Sequence, residues 1–373
     1  MSRGRVAILT TNHFHPAGDR IIYGGAEKYG VELTRLLLSL GFEVSWWQIG
    51  DGWQKEILPG VLVRTLPAAE APYHTFPQLN QAFHEKAVDQ DYFIYFVTFL
   101  AYPQAMDRSI AISHGIYWDY PGFDATLNTD ADRAEWRRRL WIALSGPRRV
   151  VSVDTATINW AAATFPDLLH RFDYIPNFVD VTAVEATEPV GKPAGHVRII
   201  YPRRLATVRG INEMVRAAEI LSARYPSAEF HFVGRGHQDE TEKEMMAWVS
   251  RHPGTYYYWL PPEDMLRVLK SCDIAVIPSK AAEGTSLACL EAMAAGCAVV
   301  AGWVGGLGNL IIDGYNGLLI KPTVHELVRT LERLICDEEL RATLGHNARA
   351  TAKAFDLKVW QHRWRQVIDA VFV

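Results

Sequence analysis

The sequence predicts an α/β protein composed of two domains, each built around a parallel β-sheet. Short apolar runs alternate with longer stretches of helical periodicity in both halves of the chain, which is typical of parallel sheets whose strands are joined by helices. The alternation is interrupted at residues 181–195, which are rich in Pro, Gly, Thr and Val, and it begins again at Val197. A chain of 373 residues is long enough for two domains of ordinary size.

The first half begins with a strand, a glycine-containing loop and a helix. Residues 6–10 are apolar and predict the strand, Gly24 and Gly25 lie in the loop, and residues 27–40 have the periodicity of an amphipathic helix. The G-x-G-x-x-G fingerprint of dinucleotide-binding proteins is absent from this loop. Further strands are predicted over residues 42–47, 92–99, 109–113 and 149–153, and further helices over residues 135–144 and 156–163.

The second half repeats this plan after the predicted linker. Strands are predicted over residues 197–201, 228–233, 256–260, 274–277 and 298–301, and helices over residues 211–223, 241–249, 265–269 and 287–295 and from residue 324 to the C-terminus. The repetition suggests two Rossmann-like domains that face each other. Sheets of this kind bind ligands beyond the carboxyl ends of their strands, so we expect a site in the cleft between the domains.

The composition argues against several classes of protein. The 38 basic and 42 acidic side chains give a net charge of −4, so no basic surplus favours a nucleic-acid partner. The four cysteines form no C-x-x-C pair, which favours a reducing, cytoplasmic compartment without disulfides or a cysteine-bound metal. No apolar run approaches about 18 residues, and the first residues predict a strand rather than a signal peptide, so we expect no membrane span.

The clearest candidate binding site lies within residues 274–319. A predicted buried strand is followed by Glu283, Gly284, Thr285 and Ser286 and then by a helix. The start of a helix presents unpaired N–H groups and the positive end of the helix dipole. Gly284 lets the backbone approach a ligand closely, and Thr285 or Ser286 can cap the helix or donate a hydroxyl group. This pattern indicates anion binding.

Two carboxylates of this stretch, Glu283 and Glu291, are eight residues apart. On a helix this spacing separates two side chains by about 80° and two turns, so the pair would not meet as a general acid and base. The two groups could hold separate parts of one long ligand whose diphosphate lies at the start of the helix, and a sugar nucleotide has that shape. The alternative is that Glu283 is a loop charge and Glu291 a solvated helix residue.

Residues 274–319 resemble the E-x7-E segment of retaining glycosyltransferases of family 4. In that family a Pro-Ser strand end precedes the first Glu, and a Glu-Ala-Met-Ala run with a Gly and two valines follows, as in residues 291–300 here. The Gly-Gly…Asp-Gly-x-x-Gly-Leu run of residues 305–318 is similar to the family's next segment. The resemblance implies the GT-B architecture, with two facing Rossmann-like domains, a donor cleft between them and a last helix that crosses back to the first domain.

The resemblance also implies domain limits and an activity. We expect an acceptor-side domain over residues 1–185, a donor-side domain over residues 196–355 and a C-terminal helix over residues 356–373. The implied reaction moves a hexosyl group, with retention, from a nucleoside diphosphate sugar to the hydroxyl group of a sugar, lipid-linked or small-molecule acceptor. Such transfer would serve the synthesis of cell-surface polysaccharide, glycolipid or small-molecule glycosides. No cofactor and no metal are expected.

The resemblance further implies a role for each candidate residue. Glu291 would hold the ribose hydroxyls, Glu283 would orient the hydroxyls of the donor sugar, and His114 would contact the sugar or its phosphate. The backbone of residues 284–287 would hold the diphosphate. The implied donor-binding residues are Gly24, Gly25, Gly234, Gly284, Thr285, Ser286, Leu287 and Glu291, and the implied catalytic residues are His114, Arg204, Arg209 and Glu283.

Arg204 and Arg209 lie in the segment PRRLATVRG, which follows the strand predicted over residues 197–201. Two guanidinium groups at this spacing could neutralise a diphosphate leaving group, and solvated loop arginines are the alternative. The family has Gly-Arg-Leu followed by Lys-Gly at the same interval, so Arg203 stands at the Gly position and Arg209 at the position of the usual Lys. Arg209 keeps the charge of that lysine but differs in reach and geometry.

Other positions carry weaker signals. His114 follows a predicted strand, and a satisfied strand-end histidine is the alternative to a ligand contact. His13 and His15 are interpreted as loop residues because no third ligand has metal-site spacing. Gly234 belongs to a Gly-x-Gly that resembles the family's loop near the nucleotide, whereas Asn309 lacks the charge of the glutamate that the family commonly has there.

The segment WRRRLW, residues 136–141, is basic and flanked by tryptophans. One interpretation is a peripheral contact with an anionic membrane surface, as in enzymes with lipid-linked acceptors. A solvated helix face is the more ordinary interpretation.

Two other functions remain open. A sugar-nucleotide epimerase of GT-B shape would bind the same donor and release an altered sugar nucleotide without any acceptor. A non-catalytic sugar-nucleotide-binding protein would have the same fold but would catalyse no reaction. A phosphorylase-like enzyme would need a lysine-bound pyridoxal phosphate, for which the sequence has no motif.

Overall fold

The computed structural model describes residues 2–22, 24–67, 76–116, 129–236, 239–281 and 283–372. The chain forms two compact units. One unit consists of Met1–Ile175 together with Gln361–Val373, and the other consists of Pro176–Trp360. The chain passes from the first unit to the second between Ile175 and Pro176, before the linker predicted over residues 181–195.

The first unit contains one mixed β-sheet. Its strands are β1 (Arg5–Leu9), β2 (Glu43–Ile49), β3 (Gln54–Leu58), β4 (Val61–Leu66), β5 (Tyr92–Tyr95), β6 (Ser109–Ser113), β7 (Arg149–Ser152) and β8 (Phe172–Tyr174). Its helices are α1 (Gly25–Ser39), α2 (Phe76–Lys86), α3 (Asp130–Ser145) and α4 (Thr155–Thr164). The strand order is β3-β4-β2-β1-β5-β6-β7-β8, and neighbouring strands are parallel except for the antiparallel pair β3 and β4.

The second unit contains a parallel sheet. Its strands are β9 (Val197–Tyr201), β10 (Ala228–Val233), β11 (Thr255–Tyr258), β12 (Ile274–Ile277), β13 (Ala298–Gly302) and β14 (Leu318–Ile320). The helices that follow α4 are α5 (Val181–Ala186), α6 (Ile211–Arg224), α7 (Asp239–Val249), α8 (Pro262–Leu269), α9 (Leu287–Ala295), α10 (Val324–Cys336), α11 (Glu338–Ala352) and α12 (Leu357–Val371). The strand order is β11-β10-β9-β12-β13-β14.

The central strands of the second sheet are buried on both faces. Along β12, Ile274 and Val276 belong to an apolar cluster with residues of α6 and α10, whereas Ala275 and Ile277 belong to a cluster with residues of α9. A strand between two layers of helices needs apolar side chains at every position. This is why the sequence shows continuous apolar runs here instead of alternation.

The strand predicted over residues 92–99 is shorter in the structure. β5 ends at Tyr95, and Thr98–Ala101 forms a 3-10 helix. β5 ends where its neighbour β1 ends, since the N–H of Phe96 donates to the carbonyl of Leu9 (2.8 Å), the last residue of β1. The aromatic run therefore contributes to two elements.

Part of the predicted linker is helical. Val181–Ala186 forms α5, and the Asp180 side chain accepts a hydrogen bond from the N–H of Ala183 (2.9 Å). An aspartate at this position is a strong helix cap, so Asp180 could have indicated the helix.

The helix predicted from residue 324 to the C-terminus is divided into three. Asp337 ends α10 and its side chain caps α11, and the backbone is extended at Asp356 before α12 begins. Besides α5, four strands and one helix among the described residues were not predicted at all, namely β3, β4, β8, β14 and α2.

The last helix returns to the first unit, as the resemblance implies. Trp364 of α12 is fully buried there, and its indole N–H donates to the hydroxyl of Tyr29 on α1 (2.9 Å). Phe372 stacks on Tyr92 of β5 with ring centroids 4.6 Å apart. These contacts join the end of the chain to the helix and the sheet of the first unit.

Within the described ranges, no helix has the length and apolar character that crossing a bilayer requires.

The four cysteines are free thiols. Cys272, Cys289 and Cys297 are buried, and Cys336 is exposed.

Candidate functional site

The candidate site in the second unit lies at the carboxyl ends of β9, β12 and β13. These strands are parallel neighbours, so the loops that follow them emerge at the same edge of the sheet. The described residues of these loops are 202–210, 278–281, 283–286 and 303–310.

The Glu283 carboxylate is buried at this edge, with 7% of the residue exposed. Its Oε2 atom accepts hydrogen bonds from Nη2 of Arg203 (2.6 Å), from Oγ of Ser279 (2.7 Å) and from Nη1 of Arg209. Burial acts to raise the pKa of Glu283, but the charges of Arg203 and Arg209 outweigh it and lower that pKa below its usual range. Glu283 is therefore an ionised carboxylate held by two cations.

The three arginines of this segment have different environments. Arg203 is 9% exposed and also donates from Nη1 to the hydroxyl of Ser286 (2.9 Å). The Arg209 side chain is 28% exposed, and the Arg204 side chain is exposed to solvent. Two guanidinium groups around one carboxylate leave a net positive charge on the cluster. Sequence reasoning missed Arg203, although its departure from the family's Gly was a signal.

The arginine loop is fixed by hydrogen bonds and by a close backbone contact. The hydroxyl of Tyr201 donates to the carbonyls of Arg204 (3.1 Å) and Arg209 (3.2 Å). Gly210 has a φ of +77°, and a Cβ there would lie 2.2 Å from the carbonyl oxygen of Pro278. A side chain at Gly210 would therefore push apart two of the three loops.

Two further glycines let the loop of residues 303–310 pack on Glu283. Gly305 has a φ of +51°, and a Cβ there would lie 1.9 Å from the carbonyl oxygen of Glu283. The N–H of Gly306 donates to the same carbonyl (2.8 Å), and a Cβ at Gly306 would lie 2.5 Å from the carbonyl carbon of Gly284. The position of Glu283 therefore depends on contact between backbones.

The two hydroxyl groups predicted for donor binding have partners within the protein. Ser286 caps α9, which begins at Leu287, because its Oγ accepts a hydrogen bond from the N–H of Cys289 (3.4 Å). The hydroxyl of Thr285 accepts a hydrogen bond from the N–H of Asn177 (2.8 Å), and the Asn177 amide donates to the Thr285 carbonyl. Both side chains thus shape the start of the helix, and their contacts with a ligand stay predictions.

Glu291 lies on α9 and is half-buried. Glu283 precedes the cap of that helix, so the angular separation of about 80° expected for two residues of one helix does not apply to the pair. The role of Glu291 in holding a ribose stays a prediction.

Gly234, predicted to lie near the nucleotide, allows two loops to pack closely. A Cβ at Gly234 would lie 2.1 Å from the carbonyl oxygen of Arg203. The N–H of Leu205 donates to the carbonyl of Arg235 (2.9 Å), so the loop after β10 is joined to the arginine loop. The Arg235 guanidinium lies 4.3 Å from the centre of the Trp259 ring, within the range of a cation–π contact.

In the first unit, a pocket of about 110 Å³ lies where β1 and β5 end and α1 begins. Gly24 precedes α1 with an extended backbone, and Gly25 is the first residue of the helix. The pocket is lined by Thr10, Thr11, Asn12, His13, Ala26, Glu27, Trp46, Phe96 and Val97.

One wall of this pocket is the loop after β1, which Gln48 holds in place. Oε1 of Gln48 accepts hydrogen bonds from the N–H groups of His13 (2.7 Å) and Phe14 (2.8 Å). His13 is 5% exposed, and burial lowers its pKa to about 4. The interpretation of His13 as an ordinary loop residue missed that its neutral ring lines a pocket.

His114 follows β6 and lies among aromatic rings of the first unit. Its ring centroid is 4.8 Å from that of Phe96 and 5.0 Å from that of Tyr29. Burial lowers the pKa of His114 to about 4, against a backbone hydrogen bond to Phe96 that raises it. Its buried Nε2 has no hydrogen-bond partner among the described residues. An uncharged imidazole with an unused ring nitrogen could accept or donate one hydrogen bond, and the contact of His114 with a ligand stays a prediction.

We expect the protein to lose stability in mild acid because buried histidines stay neutral in the fold. Burial lowers the pKa values of His13, His114 and His231 to about 4, from an ordinary value of 6.5. The unfolded chain therefore binds more protons between these two values, so this stability is complete above pH 6.5 and is lost as the pH falls towards 4. Each pKa unit corresponds to about 1.4 kcal/mol. Urea unfolding measured across this range would show the fall.

The matched variants for this measurement are His114→Asn and His346→Asn. His114→Asn removes one buried titrating group and should make the loss of stability in acid less steep. His346 is exposed on α11, so its replacement should leave the profile unchanged. A free energy of unfolding that stays constant down to pH about 4.5 would contradict the assignment.

The described residues contain no group of three or more His, Cys, Asp or Glu side chains that could hold a metal ion.

The basic segment of residues 136–141 lies on α3, where Trp136 is buried and Trp141 is 49% exposed. Glu135 accepts hydrogen bonds from Arg138 (2.7 Å) and Arg139 (2.8 Å), which neutralises part of the segment.

Comparison with known families and proteins identifies relatives of this chain. Residues 185–351 match the family model described as Glycosyl transferases group 1. A D-inositol 3-phosphate glycosyltransferase from Arthrobacter is 30% identical over 256 residues, which cover 63% of this chain and 58% of that protein. An uncharacterized glycosyltransferase from Methanocaldococcus jannaschii is 40% identical over 94 residues, 25% of this chain and 26% of that protein. The chain thus spans less than two thirds of the length of both of these curated relatives.

Solved structures resemble the whole chain. Sucrose-phosphate synthase from Thermosynechococcus elongatus has a TM-score of 0.77 at 19% identity, and the match covers 99% of both chains. HepE from Anabaena, in complex with UDP and glucose, has a TM-score of 0.71 at 17% identity over 98% of this chain and 100% of that one. WaaG, a glycosyltransferase involved in lipopolysaccharide biosynthesis, has a TM-score of 0.72 at 16% identity over 97% and 99% of the chains. These likenesses confirm the predicted GT-B fold.

Proposed function

We propose, from the glycosyl transferases group 1 domain that residues 185–351 form, that this protein transfers a hexosyl group from a nucleoside diphosphate sugar to an acceptor hydroxyl. The observation that carries the proposal is the pairing of buried Glu283 with Arg203 and Arg209 beside the start of α9. A positively charged cluster next to the N–H groups of a helix start favours a diphosphate. The likeness to HepE, solved with UDP-glucose, supports a sugar nucleotide.

The proposed chemistry is charge stabilisation on the leaving group. As the glycosidic bond breaks, negative charge grows on the diphosphate, and preorganised donors lower the barrier most when they face that charge. Arg209, the exposed Arg204 and the backbone of residues 284–287 would supply these donors, so the step does not call for a metal ion.

The remaining donor contacts follow the family's pattern. Glu291 would hold the ribose, and Glu283 would orient the sugar hydroxyls. His114, whose ring is neutral, would contact the sugar or its phosphate. The acceptor oxygen would form its bond to the anomeric carbon on the face that the diphosphate leaves, and a phosphate oxygen would take the acceptor proton. The sugar would thereby keep its anomeric configuration.

For the acceptor, we propose an uncharged polyhydroxyl compound that binds in the pocket of the first unit. The described residues that line the pocket include no lysine or arginine, and Glu27 contributes a carboxylate. Threonine and asparagine groups suit hydroxyl ligands, and Trp46 and Phe96 offer apolar surface to a sugar ring. A phosphorylated acceptor would meet the charge of Glu27 without a cation from these residues.

Replacing Glu27 with Gln should therefore weaken acceptor binding. Loss of a charged hydrogen-bonding group costs about 1.5–3 kcal/mol, so we expect the KM for the acceptor to rise about 10-fold or more while the KM for the donor is unchanged. Glu43→Gln, at an exposed site on β2, is the control. The acceptor proposal would be contradicted by a Glu27→Gln variant that turns over both neutral and phosphorylated acceptors at the same rates as the wild type.

The donor proposal is tested with a panel of nucleoside diphosphate sugars added to the purified protein in the presence of a metal chelator. We expect one donor to raise the thermal unfolding temperature and to release its nucleoside diphosphate slowly in the absence of an acceptor. Arg204→Ala should abolish both effects. The absence of stabilisation by every donor and every free nucleoside diphosphate would overturn the proposed site.

The same panel separates the two alternative functions. A sugar-nucleotide epimerase would convert the donor into another sugar nucleotide without releasing diphosphate. A non-catalytic binding protein would be stabilised by a donor and would leave it intact with every acceptor.

We propose a cytoplasmic enzyme, since its four free cysteines suit a reducing compartment. In this proposal α3 is a solvated helix face, because Glu135 pairs with two of its arginines. Peripheral membrane contact would be detected by sedimentation with anionic vesicles, and Trp141→Ala would weaken it.

A further inference from the structure

Arg203 occupies an unusual position for a loop arginine. Its side chain is 8% exposed, and each of its terminal nitrogens has a defined partner, the Ser286 hydroxyl for Nη1 (2.9 Å) and Oε2 of Glu283 for Nη2 (2.6 Å). Burying a guanidinium group is costly unless it is paired and hydrogen-bonded, so this arrangement fixes the side chain firmly.

Arg203 and Arg209 share one carboxylate oxygen. Oε2 of Glu283 accepts hydrogen bonds from both guanidinium groups and from the hydroxyl of Ser279. Arg203 is buried, whereas Arg209 keeps 28% of its side chain exposed. Arg209 is thus the member of the cluster that solvent or a ligand can reach.

The charges of the cluster have a direct consequence. If Glu283 were paired with Arg209 alone, the two charges would cancel. Arg203 provides the second cation, so these three side chains together carry a net positive charge while Glu283 holds the Arg209 guanidinium in a fixed place.

We propose, on the basis of the proposed function, that Arg203 is a positioning residue for the donor diphosphate. It fixes the Glu283 carboxylate, and Glu283 in turn fixes Arg209 against the diphosphate. Glu283 therefore contributes to diphosphate binding through Arg209, in addition to any contact with the donor sugar. The role depends on the arginine that this chain has at residue 203.

The test is a double variant that preserves charge. Arg203→Met with Glu283→Gln removes one cation and one anion, so the net charge of the cluster is unchanged and neither Arg203 nor Glu283 is left as an unpaired buried ion. We expect the double variant to bind the nucleoside diphosphate at least about 10-fold more weakly than the wild type, measured by titration calorimetry. Affinity equal to that of the wild type would overturn the proposal.

A second readout separates positioning from general damage to the site. The ratio of affinities for a nucleoside diphosphate and the matching monophosphate reports the contribution of the second phosphate. Positioning of Arg209 predicts that this ratio falls in the double variant, whereas a general structural defect would weaken both ligands equally and would overturn the proposal.

The matched control is Arg198→Met with Glu229→Gln. Arg198 and Glu229 form another buried ion pair of the same sheet, with Nε and Oε2 3.0 Å apart. We expect this variant to keep wild-type affinity for the diphosphate. A wild-type protein that binds no nucleoside diphosphate would overturn the proposed function, whereas wild-type binding that survives the Arg203 double variant overturns only the role of Arg203.

Discussion

Arg209→Met should lower the rate of glycosyl transfer by about 10²–10³-fold, because it removes a fixed cation from the site where charge develops on the leaving diphosphate. Arg209 is held by Oε2 of Glu283 and keeps 28% of its side chain exposed. Arg209→Lys should recover part of the rate, since lysine restores the charge but cannot reproduce the planar guanidinium. The measurement is the steady-state rate of nucleoside diphosphate release with the preferred donor.

The control for this experiment is Arg216→Met. Arg216 is an exposed arginine of α6 whose partner is Glu219, and its loss changes the net charge of the protein equally. The control should keep the wild-type rate. Equal rates for Arg209→Met and the wild type would remove Arg209 from the mechanism.

Gly305→Ala should destabilise the second unit and abolish diphosphate binding together. Gly305 has a φ of +51°, and the new Cβ would lie 1.9 Å from the carbonyl oxygen of Glu283, so backbone must move. Strain of this kind costs about 1–3 kcal/mol, and the movement would shift Glu283 and with it the paired arginines. Thermal unfolding and titration with the nucleoside diphosphate measure the two effects.

Gly308→Ala is the matched control, because no atom lies within 4 Å of a Cβ built at Gly308. The same methyl group should have little effect there on stability or binding. If Gly305→Ala also bound the diphosphate with wild-type affinity, the close packing of this loop on Glu283 would not matter to the site.

The parts of the fold that were predictable depend on local signals. β12 and α9 follow from a continuous apolar run, a serine at the cap and Gly296 at the end of the helix, where the structure has a φ of +87°. β3 was missed because most of its side chains are exposed and polar, and its pairing with β4 supplies the order that the sequence pattern lacks.

The candidate site was predictable only in part. Glu283 and Arg209 were predicted from local pattern and spacing together with a family resemblance, whereas the role of Arg203 requires contacts between residues 80 or more positions apart. Spacing along the chain gives no information on such a contact, because it arises from the order of strands in the sheet. The pocket of the first unit was missed for the same reason, since Thr10 follows β1, Glu27 lies on α1 and Phe96 follows β5.

The most direct test of the proposed reaction is a time course of proton NMR spectra of the wild-type protein with its preferred donor and no acceptor. Transfer to water should release free sugar slowly, and the first sugar detected should have the anomeric configuration of the donor, together with one equivalent of nucleoside diphosphate. First-formed sugar of the opposite configuration would contradict retention. A donor that stays intact, or that becomes a different sugar nucleotide, would contradict glycosyl transfer itself.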